Sequence, residues 1–244
     1  MRTGIIGHGR FGKLWAECMK QFGEVLVYDN NQQTTSNEQI NFVDLDNVVR
    51  VDILFLLVPI SEIQNICKEI RGKLDEKTII IDACSVKVKP VEEMLKELPH
   101  HQPIIATHPL FGPDSVKKLG LEGQKIVVAP IRATEEHLRI FESMLEKMKL
   151  QIIHATPEEH DRQMARSQAL VHFLGRGLAE LDLQDQEIST PDYQSLLRIN
   201  DLVTNDTWQL FLDMQRYNPH AKEVREELIK SLQKLENNIH TYEQ

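Results

Sequence analysis

The sequence predicts an α/β protein: a doubly wound sheet in residues 1–155, then an all-α domain in residues 156–244. Three observations carry this. Short apolar runs alternate with helical patterns as far as residue 155. Several of the runs are apolar nearly throughout, as parallel strands buried on both faces are. No strand pattern follows residue 155.

Arg2–Gly7 reads as the first strand, and Phe11–Phe22 as a helix with Leu14, Trp15, Cys18, Met19 and Phe22 on one face. Glu24–Tyr28 is a second strand, ending at Asp29. Val51–Val58, Thr78–Asp82, Pro103–Thr107 and Lys125–Ala129 follow as strands. A helix at Glu135–Met148 leads to a last strand, Gln151–His154. Thr156-Pro-Glu-Glu159 then starts a helix, with Thr as N-cap, Pro in the first turn and Glu three residues on. That helical pattern runs to about Leu183, and Leu183–Ser189 reads as a polar connection. Pro191–Tyr217 and Ala221–His240 are further helices, separated by Asn218-Pro219. In the last of them Val224, Leu228, Leu232 and Leu235 form a stripe that is either core or a dimer seam.

The net charge of −9 argues against a general nucleic-acid or anionic-membrane binder. Cys18, Cys67 and Cys84 have neither CxxC nor metal spacing, so a reduced compartment and no metal are expected. No segment approaches a membrane span. The first strand begins at about residue 2, which leaves no room for a leader peptide, so the expected location is the cytoplasm.

Gly7-His-Gly-Arg-Phe-Gly12 joins the first strand to the first helix. Gly7 permits the tight turn, Gly9 lets the backbone approach a pyrophosphate, and Gly12 lets the helix pack close to the sheet. With strand, helix and an acid after the second strand in place, the loop predicts a Rossmann-type dinucleotide site. Phe11, Val58 and Pro59 are counted with it. Asp29 can accept both hydroxyls of the adenosine ribose and opposes a 2′-phosphate, which favours NAD over NADP. Arg10 faces either the pyrophosphate or solvent, and His8 fills the loop.

Ser85 follows the strand Thr78–Asp82, and His108 lies just past Pro103–Thr107. Ligands of open parallel sheets bind beyond the carboxyl ends of the strands, so both side chains can reach one substrate. A neutral imidazole can take a hydroxyl proton as hydride leaves the same carbon, and the serine can hold that oxygen. Ser115, in the same segment as His108, is assigned to the substrate. Lys87 reads as a surface lysine.

Asp82-Ala-Cys-Ser-Val-Lys87, with Thr107-His-Pro-Leu-Phe-Gly-Pro-Asp-Ser115 about twenty residues later, resembles the prephenate/arogenate dehydrogenases of tyrosine biosynthesis. Glu159-His160-Asp161 resembles the element that opens the family's helical domain. Ser167-Gln-Ala-Leu-Val-His172 then matches its next motif. Gly175-Arg176, Leu181-Asp-Leu183 and Tyr193 through Asn218 continue in step with the plant arogenate-dehydrogenase type. The resemblance implies NAD(P)-dependent oxidative decarboxylation of a cyclohexadienol, with His108 as proton acceptor and Ser85 holding hydroxyl and histidine in register. It also implies a homodimer joined through the helical domain.

Gln168, His172 and Arg176 fall at i, i+4 and i+8, a polar stripe suited to a substrate side chain. Arg176 is the first candidate for the substrate carboxylate; Arg162, Arg166, Arg198 and Arg216 are rivals. His160-Asp161 reads as a structural hydrogen-bonded pair. Asp206 falls where the plant type carries an acid associated with arogenate. A carboxylate there attracts the ammonium of arogenate and repels the more anionic prephenate. Two departures stand out. The common bacterial Ser-His-Leu-Pro-His element is absent, and Asp29 speaks for NAD where the plant type takes NADP. A β-hydroxyacid dehydrogenase of the same architecture would use a lysine between Thr156 and Leu183, and there is none. A nucleotide-sensing protein without catalysis would be expected to lose the proton acceptor.

Overall fold

The computed structural model describes residues 1–30 and 40–242. The chain divides into two compact units, Met1–His160 and the residues from Asp161 onward.

In the first unit the strands are β1 (Arg2–Ile6), β2 (Glu24–Tyr28), β3 (Ile40–Phe42), β4 (Ile53–Leu56), β5 (Ile79–Asp82), β6 (Ile104–Pro109), β7 (Lys125–Arg132) and β8 (Gln151–His154). They form one sheet in the order β3-β2-β1-β4-β5-β6-β7-β8. Every pairing is parallel except β6 with β7. The helices are α1 (Arg10–Met19), α2 (Leu45–Val48), α3 (Ile63–Ile70), α4 (Val88–Glu97), α5 (Pro113–Leu119) and α6 (Glu135–Lys147). The chain leaves β1 in one direction along the sheet and returns to β4 on its other side. The crevice at that reversal is where an open α/β sheet binds its ligand.

The apolar runs form the sheet because every residue of β4 and β5 is buried, as strands covered on both faces require. α1 lays Gly12, Trp15, Ala16 and Met19 on the sheet at helical spacing. Trp15 stacks on Phe11 and meets Phe55 edge-on, 5.5 Å between ring centres. α6 is held at its start by a reciprocal cap between Thr134 and His137.

The second unit is helical among the described residues. α7 (Pro157–Met164) enters it, then a widened π turn at Ala165–Ala169 leads into α8 (Leu170–Ala179). α9 (Pro191–Thr204), α10 (Trp208–Tyr217) and α11 (Ala221–Tyr242) complete it. α8 and α9 pack closely at Gly175, where a Cβ would lie 2.5 Å from Val203. No helix among the described residues is long and apolar enough to cross a membrane.

Several boundaries differ from the sequence reading. The single helix expected from Thr156 to Leu183 is interrupted by the π turn and ends at Ala179, before Asp182 turns left-handed at φ 47°. The helix expected over Pro191–Tyr217 is two helices, because the Thr207 hydroxyl accepts from Leu210 N–H and starts α10 afresh. Asp206 therefore sits in the break. The apolar stripe of α11 divides: Val224 is buried, whereas Leu232 and Leu235 are exposed.

Candidate active site

The parallel strands β1, β4, β5 and β6 end on the same edge of the sheet, and each delivers one part of the site. β1 ends at the glycine loop, β4 at Val58-Pro59, β5 just before Ser85, and β6 carries His108. Three inter-strand steps of ~4.8 Å place β6 about 14 Å from β1.

The glycine loop fits a dinucleotide pyrophosphate. Gly7 has φ 101°, and a Cβ there would lie 2.3 Å from the Leu57 carbonyl. A Cβ on Gly12 would lie 2.2 Å from the Gly7 carbonyl. At Gly9 a Cβ would meet nothing within 4 Å, so this residue borders open space at the start of α1. Gly9 caps that helix without a side-chain bond, and no acid stands in its first turn. The N–H groups there present roughly half a positive charge. The Phe11 ring packs on Trp15, which leaves only its backbone for a nucleotide. Arg10 is ion-paired with Asp114 of α5 at 2.6 Å, and Asp29 accepts the His8 N–H at 2.6 Å beside the loop.

At the other end of the row, β5 and β6 are joined by a buried clamp. Lys87 ion-pairs with the Asp82 carboxylate and donates to the Thr107 carbonyl. Thr107 N–H donates to Asp82 Oδ1 at 3.3 Å, its hydroxyl donates to the Asp82 carbonyl at 2.5 Å, and Cys84 N–H donates to Asp82 Oδ2 at 2.9 Å. Lys87 has 0% exposure, which corrects its reading as a surface residue. An ammonium at this depth needs a partner, and Asp82, five residues earlier, supplies it. His108 also moves: it lies within β6, not past its end. The antiparallel ladder with β7 carries pairing on through His108–Val127 and Pro109–Ile126.

His108 is 4% exposed and its Nδ1 lies 2.8 Å from Nε2 of His160, which is 2% exposed. Burial, then the neighbouring His160, then the Lys87 ammonium hold the His108 imidazole well below its ordinary titration range. It is therefore a neutral base at physiological pH. Neither His108 Nε2 nor the Ser85 hydroxyl makes a protein hydrogen bond among the described residues. Ser115 is differently occupied: its hydroxyl accepts from Gly112 N–H and donates to the Gly112 carbonyl, closing the first turn of α5. Burial pushes Cys18 up to about 11 and Cys67 up to about 12, which removes both as thiolate nucleophiles.

In the helical unit, Gln168 lies in the π turn and His172 and Arg176 on α8. Gln168 Oε1, His172 Nδ1 and Arg176 Nε are shielded from solvent and have no hydrogen-bond partner among the described residues. Arg176 also donates to the Asp206 carbonyl, and its guanidinium lies 5.3 Å from the Trp208 ring centre and 5.8 Å from that of Phe211. His172 Nε2 is 3.8 Å from Asp206 Oδ2. Burial lowers the His172 titration; Asp206 opposes that and Arg176 adds to it. Of the rival arginines, Arg166 pairs with Glu227 at 3.1 Å, and Arg162, Arg198 and Arg216 are exposed.

His160, Lys87 and Asp82 are the functional neighbours that sequence spacing did not bring to His108. His160 is 52 residues away from it. Only its place in the Glu-His-Asp element singled it out, and that suggested a structural pair with Asp161.

The family model for the prephenate dehydrogenase nucleotide-binding domain matches residues 15–154, and a TYRAAT1-like C-terminal domain model matches residues 177–244. Arogenate dehydrogenase 1, chloroplastic, of Arabidopsis thaliana is 30% identical over 237 residues, 93% of this chain and 37% of that protein. A probable arogenate/prephenate dehydrogenase of Methanocaldococcus jannaschii is 27% identical over 92% of this chain and 53% of that protein. The chain thus spans well under two thirds of both relatives. The crystal structure of prephenate dehydrogenase from Aquifex aeolicus with hydroxyphenyl propionate and NAD+ superposes with a TM-score of 0.75 at 21% identity, covering 99% of this chain and 91% of that one. Synechocystis arogenate dehydrogenase gives 0.71 at 19%, covering 100% and 93%. These structural likenesses show the shared fold. With the family model spanning more than half of the residues, the chain belongs to the prephenate dehydrogenase family.

Proposed function

We propose that this chain oxidises and decarboxylates a cyclohexadienol, prephenate or arogenate, with a nicotinamide dinucleotide, in the cytoplasm. The observation that carries the reading is His108: a buried, neutral imidazole at the carboxyl edge whose Nε2 has no protein partner among the described residues, in one row with a glycine loop that fits a pyrophosphate. When bound, the nicotinamide supplies the hydride acceptor. The chain's own residues do the rest. His108 Nε2 takes the hydroxyl proton as that carbon becomes a carbonyl, and Ser85 orients the oxygen. The electron pair of the ring–carboxylate bond stays with the ring as CO₂ leaves, and the ring becomes aromatic. Asp29, held at the loop by His8 N–H, favours NAD over NADP. The test is NADH and NADPH formation at 340 nm with each substrate; no turnover in any of the four combinations refutes the reading.

Within it, we assign residues 1–155 to the nucleotide and 156–244 to the substrate side chain and a homodimer. The unsatisfied polar atoms of Gln168, His172 and Arg176 support the first of these roles for the helical part. The exposed Ile229, Leu232, Leu235 and Ile239 of α11 support the second, and sedimentation reads it directly. A lean to arogenate rests on Asp206, whose carboxylate beside the neutral His172 suits an ammonium better than a keto acid. Asp206→Asn is expected to lower the arogenate-to-prephenate ratio of kcat/KM about ten-fold, ~1.4 kcal/mol. An unchanged ratio removes Asp206 from substrate choice.

A further inference from the structure

We propose that His160 is the second station of a proton relay: as His108 Nε2 receives the substrate's hydroxyl proton, His108 Nδ1 passes its own proton to His160 Nε2. The inference rests on the functional reading above and goes beyond it, because that reading needs only one base.

The two nitrogens lie 2.8 Å apart, on imidazoles that are both almost wholly buried. At that distance one nitrogen carries a hydrogen and the other accepts it. A base at Nε2 requires the proton of neutral His108 to be on Nδ1. The direction follows: His108 donates, and His160 accepts with an unprotonated Nε2. The rings meet edge to face, 71° between planes, so the bond is made at the nitrogens and not by stacking.

The second step is electrostatic. A proton that stayed on His108 would make an imidazolium almost wholly shielded from solvent, with the Lys87 ammonium and His160 both opposing its charge. Asp82, the nearby acid on β5, is committed to Lys87, Thr107 N–H and Cys84 N–H. Among the described residues, His160 is the hydrogen-bond partner of the His108 ring, and it can itself take a proton. The transfer balances: one proton enters His108 at Nε2 and one leaves at Nδ1. His108 returns to neutral in its other tautomer, and His160 gains the proton and the charge. No electrons move in this step. An imidazole in this place can both orient the base and accept its proton. His160 acts through His108 and is a positioning and relay residue.

Two measurements test this. In the nucleotide-free protein, ¹⁵N spectra of the imidazoles should show His108 protonated at Nδ1 and bare at Nε2, with His160 Nε2 as the acceptor. The opposite tautomer, with His160 donating, overturns the relay, and this readout needs no variant and no turnover. The second is His160→Gln, whose amide oxygen still accepts from Nδ1–H but takes no proton. Its single-turnover rate should fall about 100-fold, with KM and nucleotide affinity unchanged. The solvent-deuterium proton inventory should change from two protons in flight to one. A His160→Gln enzyme at full rate overturns the relay. The failures are separable. An inactive wild type, or an active His108→Asn, defeats the functional reading; an active wild type, a dead His108→Asn and a full-rate His160→Gln defeat the relay alone.

Discussion

His108→Asn is expected to lower the rate of substrate oxidation by about 10³- to 10⁴-fold while nucleotide binding stays intact. Asparagine is close to histidine in size and its amide can still bond to His160, so β6 and its ladder with β7 have no reason to move. What is lost is the one property the position supplies, a nitrogen that accepts a proton at neutral pH. The glycine loop lies three strands away and is untouched. Nucleotide affinity, followed by quenching of protein fluorescence, should therefore match wild type. The pH profile of wild-type kcat/KM completes the argument. Burial, His160 and Lys87 depress the His108 titration, so the base form persists below the ordinary 6.5 and is lost only as pH falls through the depressed value. The acid limb should sit below 6.5. A limb at or above 6.5, or an Asn variant with more than a hundredth of the wild-type rate, contradicts the assignment.

Lys87→Met is expected to destabilise the sheet unit by about 3–5 kcal/mol. The substitution fills similar volume but leaves the Asp82 carboxylate buried and without its cation, and the Thr107 carbonyl without its donor. For a unit of this size that corresponds to a fall in Tm on the order of 10 °C. The chain has two compact units, so calorimetry that resolves separate transitions is the proper measurement; only the transition of the sheet unit should move. The contrast is Lys149, paired with Glu122 at 2.8 Å with both side chains more than 60% exposed. Its removal should leave both transitions in place, because solvent and side-chain entropy offset such pairs. Thr107 is the residue before His108, so Lys87→Met should also slow catalysis. A variant as stable as wild type refutes the clamp.

The glycine loop and the acid after β2 were legible because their meaning is local. A strand, a φ that only glycine adopts freely, and a helix start all fall within a dozen residues. His108 and Ser85 were singled out as candidates on the same local ground, each beside one apolar run, and the strand then proved to include His108. The π turn at Ala165–Ala169 was not legible: its sequence differs little from an ordinary helix, and the extra residue changes only which bonds close. The break before Thr207 was missed for a related reason. A cap competes with helix continuation by about 1 kcal/mol, too little to read against a continuous helical pattern. The extension of β6 through His108 depends on β7 turning antiparallel, a pairing set by another part of the chain.

The class of fold, the glycine loop between β1 and α1 and the family were readable from the residues alone, because each is carried by short patterns or single residue types. The burial of Lys87 against Asp82, and the meeting of His160 with His108 across 52 residues, came from the packed chain. It also left one polar atom each of Gln168, His172 and Arg176 shielded and without a partner among the described residues. Burial and contact between distant residues are properties of the packed chain. A lysine or histidine in a helix reads the same in sequence whether it faces water or another side chain, and its chemistry follows from which of these it faces.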